Sequence, residues 1–486
     1  MKKSLKILLL ALVITLSVWA LVIFYWQVIS YAPTNVDLFS YLVLVPAALF
    51  VSVMVLNKVS AFVLRPKEEV GEKSEATNED GQAAKVVSVA TGRDWVLPLA
   101  FGRLITLHGD TVSDFKSAVD EKTNKFELDT ELADVEGFPL MSARIAGLEP
   151  EETYEKFEEW LAEHPTTEAK STHWITEDKR TLHLLHSVFT GLLRDFFSND
   201  HIAQLLSNYL ENNKLPLPNI YIVTNVPNGW TQARLNITND WLRSELLRQG
   251  WPGDKILNVP INDKKLNAWQ ILDSINESIH ASDKQGAYFI AAAQSHLGER
   301  TFAEYEAAGQ LLSAQNKSGN IYGEAGAGVL VLDEQLAKMF EEPPVVFMHR
   351  AAIRLRDKSA DDSGKIKPSV LIEVMKDALL VSKIEAENIK ILAADTDSRV
   401  SRITEFFAAQ NEVLPEIDTE KGILKLQECC GMVGAAAGLA SLVYAMDRVV
   451  NEEAPALWVS NTDAFNRCAL VLNLPIKPKL EEAESS

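Results

Sequence analysis

The sequence predicts an α/β protein, a sheet covered by helices on both faces, set behind two apolar N-terminal segments and a charged linker. Three observations carry this reading. From residue 217 onward, strand-like and helix-like segments alternate over about 260 residues, as in a sheet layered by helices. Several of the strands are short, continuous apolar runs, the pattern of strands buried on both faces. Before residue 58 the chain holds two stretches long enough to cross a bilayer as helices, which takes about 20 residues.

Leu5–Val28 runs for 24 residues, interrupted only by Lys6 near its start, two polar residues and Gln27. Leu38–Leu56 has 19 residues without a charge. A secretory signal would have an apolar region of only about 7–15 residues and a small-residue cleavage site. Tyr25, Trp26, Tyr31 and Tyr41 suit the interfacial belt. Lys2, Lys3 and Lys6 precede or open the first segment, and Lys58, Arg65 and Lys67 follow the second. The turn Tyr31–Asp37 carries no basic residue. The positive-inside rule then places both ends in the cytoplasm, joined by a short outer loop. Residues 58–90 read as a flexible linker, because PKEEVGEKSEATNEDGQAAKV is charged, polar and aperiodic. The remaining 91–480 is expected to be one cytoplasmic domain.

With 67 acidic against 47 basic residues the formal net charge is −20. A surface of that sign repels phosphate backbones, which argues against nucleic acid as a partner. The three cysteines are Cys429, Cys430 and Cys468. Two are adjacent and cannot easily pair with each other, so no disulfide framework is expected and a reducing compartment fits.

Within the domain, EPEETYEKFEEWLAE (Glu149–Glu163) opens on a proline and acids, as helices do. Leu182–Phe197 is a second amphipathic helix. It carries His183 and His186, whose spacing could suit a metal, but no third ligand is apparent and a packing role is expected. Strands follow at Asn219–Val226, Gly286–Ala293, Gly326–Leu332, Val345–Leu355, Ile389–Ala393, Ala456–Val459 and Ala469–Leu472. Helices are expected at Asp240–Gln249, Leu266–His280, Thr301–Gln315, Pro368–Lys383 and Val400–Gln410.

Gly323–Gly328 superficially matches a dinucleotide-binding glycine fingerprint. That motif must follow a strand and open a helix, and here the glycines lead into the strand VLVLDE instead. Arg350, Arg354 and Arg356 could form an anion site, although Arg354 and Arg356, alternating along a strand, are expected to face solvent or acidic partners on the same face. The stretch LQECCGMVGAAAGLASLVYAM (426–446) has an uncharged run of only about 16 residues, too short for a membrane span, and is expected to form a core helix.

These segments resemble β-ketoacyl synthases of the thiolase-like superfamily. GEAGAGVLVLDE is similar to that family's GEGAGVLVLE. GAYFIAAAQS stands where it has a strand ending in Ala-Gly-Gly, and TFAEYEAAGQLLS follows in order. ILAADTDSRVSRITEF resembles its EAHGTGTPLGDPIEA loop, CGMVGAAAGLASLVYAM its GHTQAAAGLAGLIKA, and WVSNTDAFNRCALVL its NSFGFGGTNAALVL. The matches run through 286–472, and 91–285 would hold the less legible half of a duplicated, layered αβαβα domain.

The resemblance implies a cysteine nucleophile at a helix N-terminus, two histidines that polarise a thioester carbonyl, and a supporting lysine. Carried over by position, the histidines fall on Ala394 and Met432 and the lysine on Gln427. The cysteine would lie near Asn262–Leu266, and no cysteine precedes Cys429. No histidine lies between 350 and 486. A chain so altered is expected to be a pseudoenzyme with no catalytic, cofactor or metal residues. Cys429 and Cys430 are expected to be buried and inert.

The order of two membrane segments and then a degenerate thiolase-like domain resembles the lipase-adaptor proteins of bacterial type VI secretion. That resemblance implies a two-pass inner-membrane protein that receives a lipase effector for a component of the secretion spike. The thiolase-like resemblance also implies a homodimer through the central sheet. The alternative is an acyl-CoA or acyl-carrier-protein binding or condensing protein of lipid metabolism with a non-standard active site.

Overall fold

A computed structural model describes residues 92–475, apart from 124–125, 166–171, 213–215, 260–266, 282–283, 314–315, 318, 341–343 and 363–365, together with Trp19. All but Trp19 fall in the unit Ser88–Ser486, which separates from Met1–Val87. The two expected membrane segments and the linker therefore lie outside the described residues, Trp19 aside. Among the described residues no helix is long and apolar enough to cross a membrane.

The chain builds one pattern of elements twice. The first copy runs β1 (Val96–Ile105), α1 (Val112–Asp120), β2 (Glu127–Ala133), β3 (Pro139–Ala143), α2 (Pro150–Glu163), α3 (Thr176–Phe197), α4 (Asp200–Asn212), β4 (Asn219–Asn225), α5 (Gln232–Arg248), β5 (Ile256–Asn258), α6 (Ala268–Ala281), β6 (Gly286–Ser295), α7 (Glu299–Ala307), β7 (Tyr322–Leu332) and α8 (Glu334–Ala337). The second runs β8 (Val346–His349), β9 (Ala352–Leu355), α9 (Ser369–Ser382), β10 (Ile391–Ala394), α10 (Val400–Val413), β11 (Ile423–Lys425), α11 (Leu426–Cys430), α12 (Ala437–Glu452), β12 (Ala456–Ser460) and β13 (Asn466–Asn473).

The strands join in the order β11-β10-β12-β13-β8-β1-β7-β6-β4-β5. The arms β7-β6-β4-β5 and β13-β12-β10-β11 are the same ladder, one antiparallel pair followed by two parallel ones. In each copy one helix joins the first two parallel strands (α5, α10), and another returns to the third (α6, α12). The copies meet where β8 pairs with β1, while its other side pairs with β13 of its own copy.

Side-chain alternation along these strands creates the layers. In β10, Ile391 and Ala393 face one core while Leu392 and Ala394 face another. In β6, Tyr288, Ile290 and Ala292 join the first of these cores, and Phe289, Ala291 and Ala293 join a third. The shared core also contains buried residues of α6 and α12, so both arms sandwich these two helices. The outer cores hold α3 with α5 on one side and α9 with α10 on the other. The result is the expected five-layered αβαβα arrangement.

Several expectations shift in detail. Val345–Leu355 is two strands, broken at Arg350, whose guanidinium donates to Asp273 (2.7 Å) and to the Gly92 carbonyl (3.1 Å). The helix expected over Thr301–Gln315 ends at Ala307, ahead of Gly309 at φ +65°. The glycines of 323–328 lie within β7 and do not merely precede it. An added Cβ at Gly328 would collide with Val188 and lie 2.9 Å from Leu192, so the glycine lets α3 pack directly on the strand. The stretch 426–446 divides into α11, a short turn and α12, and α12 is a core helix whose Ser441 hydroxyl accepts from Trp458 Nε1 (2.8 Å).

Candidate functional site

The parallel strands β4 and β10 and the strand β6 end at one cavity of about 1000 Å³. Asn225 of β4, Gln294 and Ser295 of β6, and His296 just beyond β6 contribute from the first copy. Asp395, Asp397 and Arg399 follow β10 in the second. The N-termini of both central helices complete the wall, through Asn267 with Ala268 and through Ala437 with Gly438. A crevice beyond the carboxyl ends of parallel strands is where layered α/β proteins place their ligands.

The loop between α11 and α12 is held across this cavity. Gly434, at φ +51°, sits close against the Gln294 side chain. Gln294 Oε1 accepts from the Ala435 amide (2.7 Å), while Asn225 Nδ2 donates to the Ala435 carbonyl (3.2 Å). Met432 forms a bridge with Tyr322, and its carbonyl accepts from the Gly323 amide (3.0 Å). These bonds hold Met432 in the wall, and Gln427 is held there by its Nε2, which donates to the Asp395 carbonyl (2.8 Å).

Ala394 is placed differently. It is the last residue of β10 and faces the outer core with Leu392. The cavity-facing residue is Asp395, one position on, because the strand alternates. Asp395 is 5 % exposed and accepts from Ser460 Oγ (2.6 Å), the Asn461 amide (3.1 Å) and Thr462 Oγ1 (3.3 Å). Burial raises its carboxyl from the ordinary 3.8 to about 6, against the lowering effect of these bonds. The residue in the wall at the N-terminus of α6 is Asn267, just beyond the Asn262–Leu266 window expected for a nucleophile. Of that window the structure describes nothing.

Sequence reasoning overlooked His296. Its only signal was a histidine shortly after the apolar run GAYFIAAA, beyond Gln294 and Ser295. Burial lowers it from 6.5 to about 4, so the ring is neutral at pH 7. Tyr305 Oη and Gln294 Nε2 approach Nδ1 at 2.8 and 3.4 Å, an arrangement that puts the proton of the neutral ring on Nε2.

The cysteines lie away from the cavity wall. Burial lifts Cys429 to about 11, and Cys430 and Cys468 are raised as well. Such thiols are protonated at neutral pH. His183 Nδ1 meets Thr153 Oγ1 (2.7 Å), and His186 stacks on Trp241 and contacts Glu245 (3.0 Å). Arg350 pairs with Asp273 and Glu277, Arg354 with Asp377 and Glu373, and Arg356 with Glu405. All three arginines are thus matched by acids.

No family model matches the chain, and no curated protein matches it in sequence. Solved structures do match its fold. The ishigamide ketosynthase/chain length factor is 13% identical at TM-score 0.50, covering 78% of this chain and 99% of that one. A type II PKS ketosynthase, in complex with its acyl-carrier protein and bound to the hexaketide, is 10% identical at TM-score 0.54, covering 78% and 100%. A β-ketoacyl synthase from Burkholderia phymatum STM815 is 12% identical at TM-score 0.50, covering 79% and 100%. The likeness is one of fold: the described residues share the fold of these ketosynthases.

Proposed function

We propose that this chain is a non-condensing adaptor: a ketosynthase-like domain, tethered to the bacterial inner membrane by its N-terminal apolar segments, that holds a partner protein in the cytoplasm. The partner class follows from the resemblance to type VI secretion adaptors, a lipase effector bound for the secretion spike.

The observation that supports the reading is the chemistry of the cavity wall. Asn267 stands at the helix N-terminus, Asp395 at the strand end, and Gln427 and Met432 on the loop. An amide is no substitute for a thiolate, and a carboxylate or a thioether donates no hydrogen bond to a developing oxyanion at neutral pH. His296 is neutral and approaches from the other copy of the repeat. A net charge of −20 adds solubility and a surface that selects basic partners.

The test is purification of the full-length chain from its native membrane, with mass spectrometry of what co-purifies. Recovery of a lipase or a secretion component is expected. Recovery of acyl-carrier protein alone would overturn the adaptor reading in favour of a lipid-metabolism role.

A further inference from the structure

The hairpin of β2 and β3 leans on the domain by one face. β3 pairs with β7 through Ser142 and Ala143. Leu132 and Leu140 turn inward and are buried with Leu297, Phe302, Leu311 and Tyr322. The residues beside them turn the other way. Leu128 pairs with Met141 and Ala133 with Pro139, so these four share the outer face. Leu128 there is 61 % exposed, and at the tip Phe138 is 62 % and Val135 88 % exposed.

The tip is built to hold these side chains out. Asp134 Oδ1 accepts from the amides of Glu136 (3.0 Å) and Phe138 (2.8 Å), and Gly137, at φ +85°, closes the turn. The Val135 amide donates to Glu306 Oε1 (3.1 Å), which ties the tip to α7. At the base, Asp129 Oδ2 accepts from Ser142 Oγ (2.6 Å) and Arg144 Nε (2.9 Å). An apolar face left open and rimmed by polar residues marks an interaction surface.

Its charge indicates what covers it. Residues 126–143 carry five acids and no base, and Arg144 is taken up by Asp129 (2.9 Å) and Glu131 (3.1 Å). A second copy of the hairpin would set acid against acid, and an anionic lipid surface would be repelled. A basic protein segment with an apolar centre is complementary. An added strand is disfavoured along β2, which advances five residues from Leu128 to Ala133 while β3 advances two. There Asp129 Oδ1 also takes the amides of Glu131 (2.9 Å) and Leu132 (3.1 Å). A helix needs no such donors and lays one apolar row on the face.

We propose that the outer face of the β2–β3 hairpin docks a basic amphipathic helix of the partner protein, with Leu128, Val135 and Phe138 as its apolar contacts. The inference rests on the adaptor reading, which supplies the partner.

The experiment places the full-length chain in phosphatidylcholine nanodiscs at physiological salt, where distant charges are screened. The probe is a fluorescent helical peptide of about four turns, roughly 14 residues, with leucines on one face and lysines on the other. Its glutamate counterpart is the control. Anisotropy is expected to show binding of the lysine peptide and none of the glutamate peptide. Val135→Ser with Phe138→Ser keeps the backbone bonds of the turn and should weaken binding about tenfold or more. Leu380→Ser, at an exposed leucine of α9, should leave it unchanged. Glu127→Lys with Glu136→Lys should reverse the preference between the peptides, which misfolding does not imitate, and decides the matter if the tip variant fails to fold. Undiminished binding by a folded tip variant, or no reversal, overturns the proposal. Tip-dependent self-association in sedimentation, or tip-dependent binding to phosphatidylglycerol vesicles, assigns the face to a second copy or to lipid and overturns it as well. Full co-purification of the lipase with the tip variant sinks this inference alone; tip-dependent peptide binding with no partner recovered by the wild-type chain sinks the adaptor reading instead.

Discussion

Replacing Glu324 by methionine removes the acceptor at the centre of the first copy. Glu324 is wholly buried in β7. It accepts from Arg180 Nε (2.7 Å), Ser295 Oγ (2.8 Å) and the Ile145 amide (3.0 Å). It thereby ties α3 to the end of β6 at the cavity wall. Arg180 is 6 % exposed, so Glu324→Met strands a buried cation. Breaking a buried pair this way costs about 3–5 kcal/mol. Adding Arg180→Met removes the stranded charge and should recover much of the loss, leaving roughly 1–3 kcal/mol for the donors without an acceptor. The assay is urea unfolding of wild type, both singles and the double, followed by tryptophan fluorescence. A Glu324→Met loss below about 1 kcal/mol, or a double variant less stable than Glu324→Met alone, would refute the reasoning.

Other outcomes follow from the same geometry. Gly328→Ala pushes a methyl into Val188 and should cost about 1–3 kcal/mol in thermal or urea unfolding, while Gly229→Ala, with nothing within 4 Å, should be near neutral. The native chain should take up almost no iodoacetamide at pH 7.5, because burial raises all three thiols, Cys429 to about 11. All three thiols should react in urea, as counted by intact mass. Acid stability carries two opposing slopes. His296 is lowered from 6.5 to about 4, so the unfolded chain binds the proton first and stability falls as pH drops from 6.5 toward 4. Asp395 is raised from 3.8 to about 6, so the native state binds first and stability rises as pH drops from 6 toward 3.8. Asp395→Asn should therefore steepen acid loss and His296→Gln should relieve it, read from unfolding midpoints across pH 4–7.

The fold was legible where strands are buried on both faces and therefore apolar throughout, as in GAYFIAAAQS and the valines of β7. It was illegible where tertiary pairing overrides local signals. β1 contains Pro98 and Gly102, which mark it against a strand, yet it lies between β7 and β8. β5 and β11 have three residues each and no pattern of their own. At the site, Met432 and Gln427 both stand in the cavity wall, on the stretch before α12. Ala394, reached by counting back from Glu405, lies in the outer core, and the next residue, the buried carboxylate Asp395, is the one in the wall. The duplication was expected from the resemblance and not from any repeat in the residues: β6 and β7 close the first copy, so the more legible stretch from 286 onward spans parts of both.

The measurement closest to the central claim is covalent acylation. The purified chain is incubated with acyl-CoA and with acyl-carrier protein, and its intact mass is followed over time. No acyl adduct and no thioester turnover are predicted, since none of the three cysteines lies in the cavity wall. A stable adduct, or turnover abolished by Cys430→Ala, would contradict it.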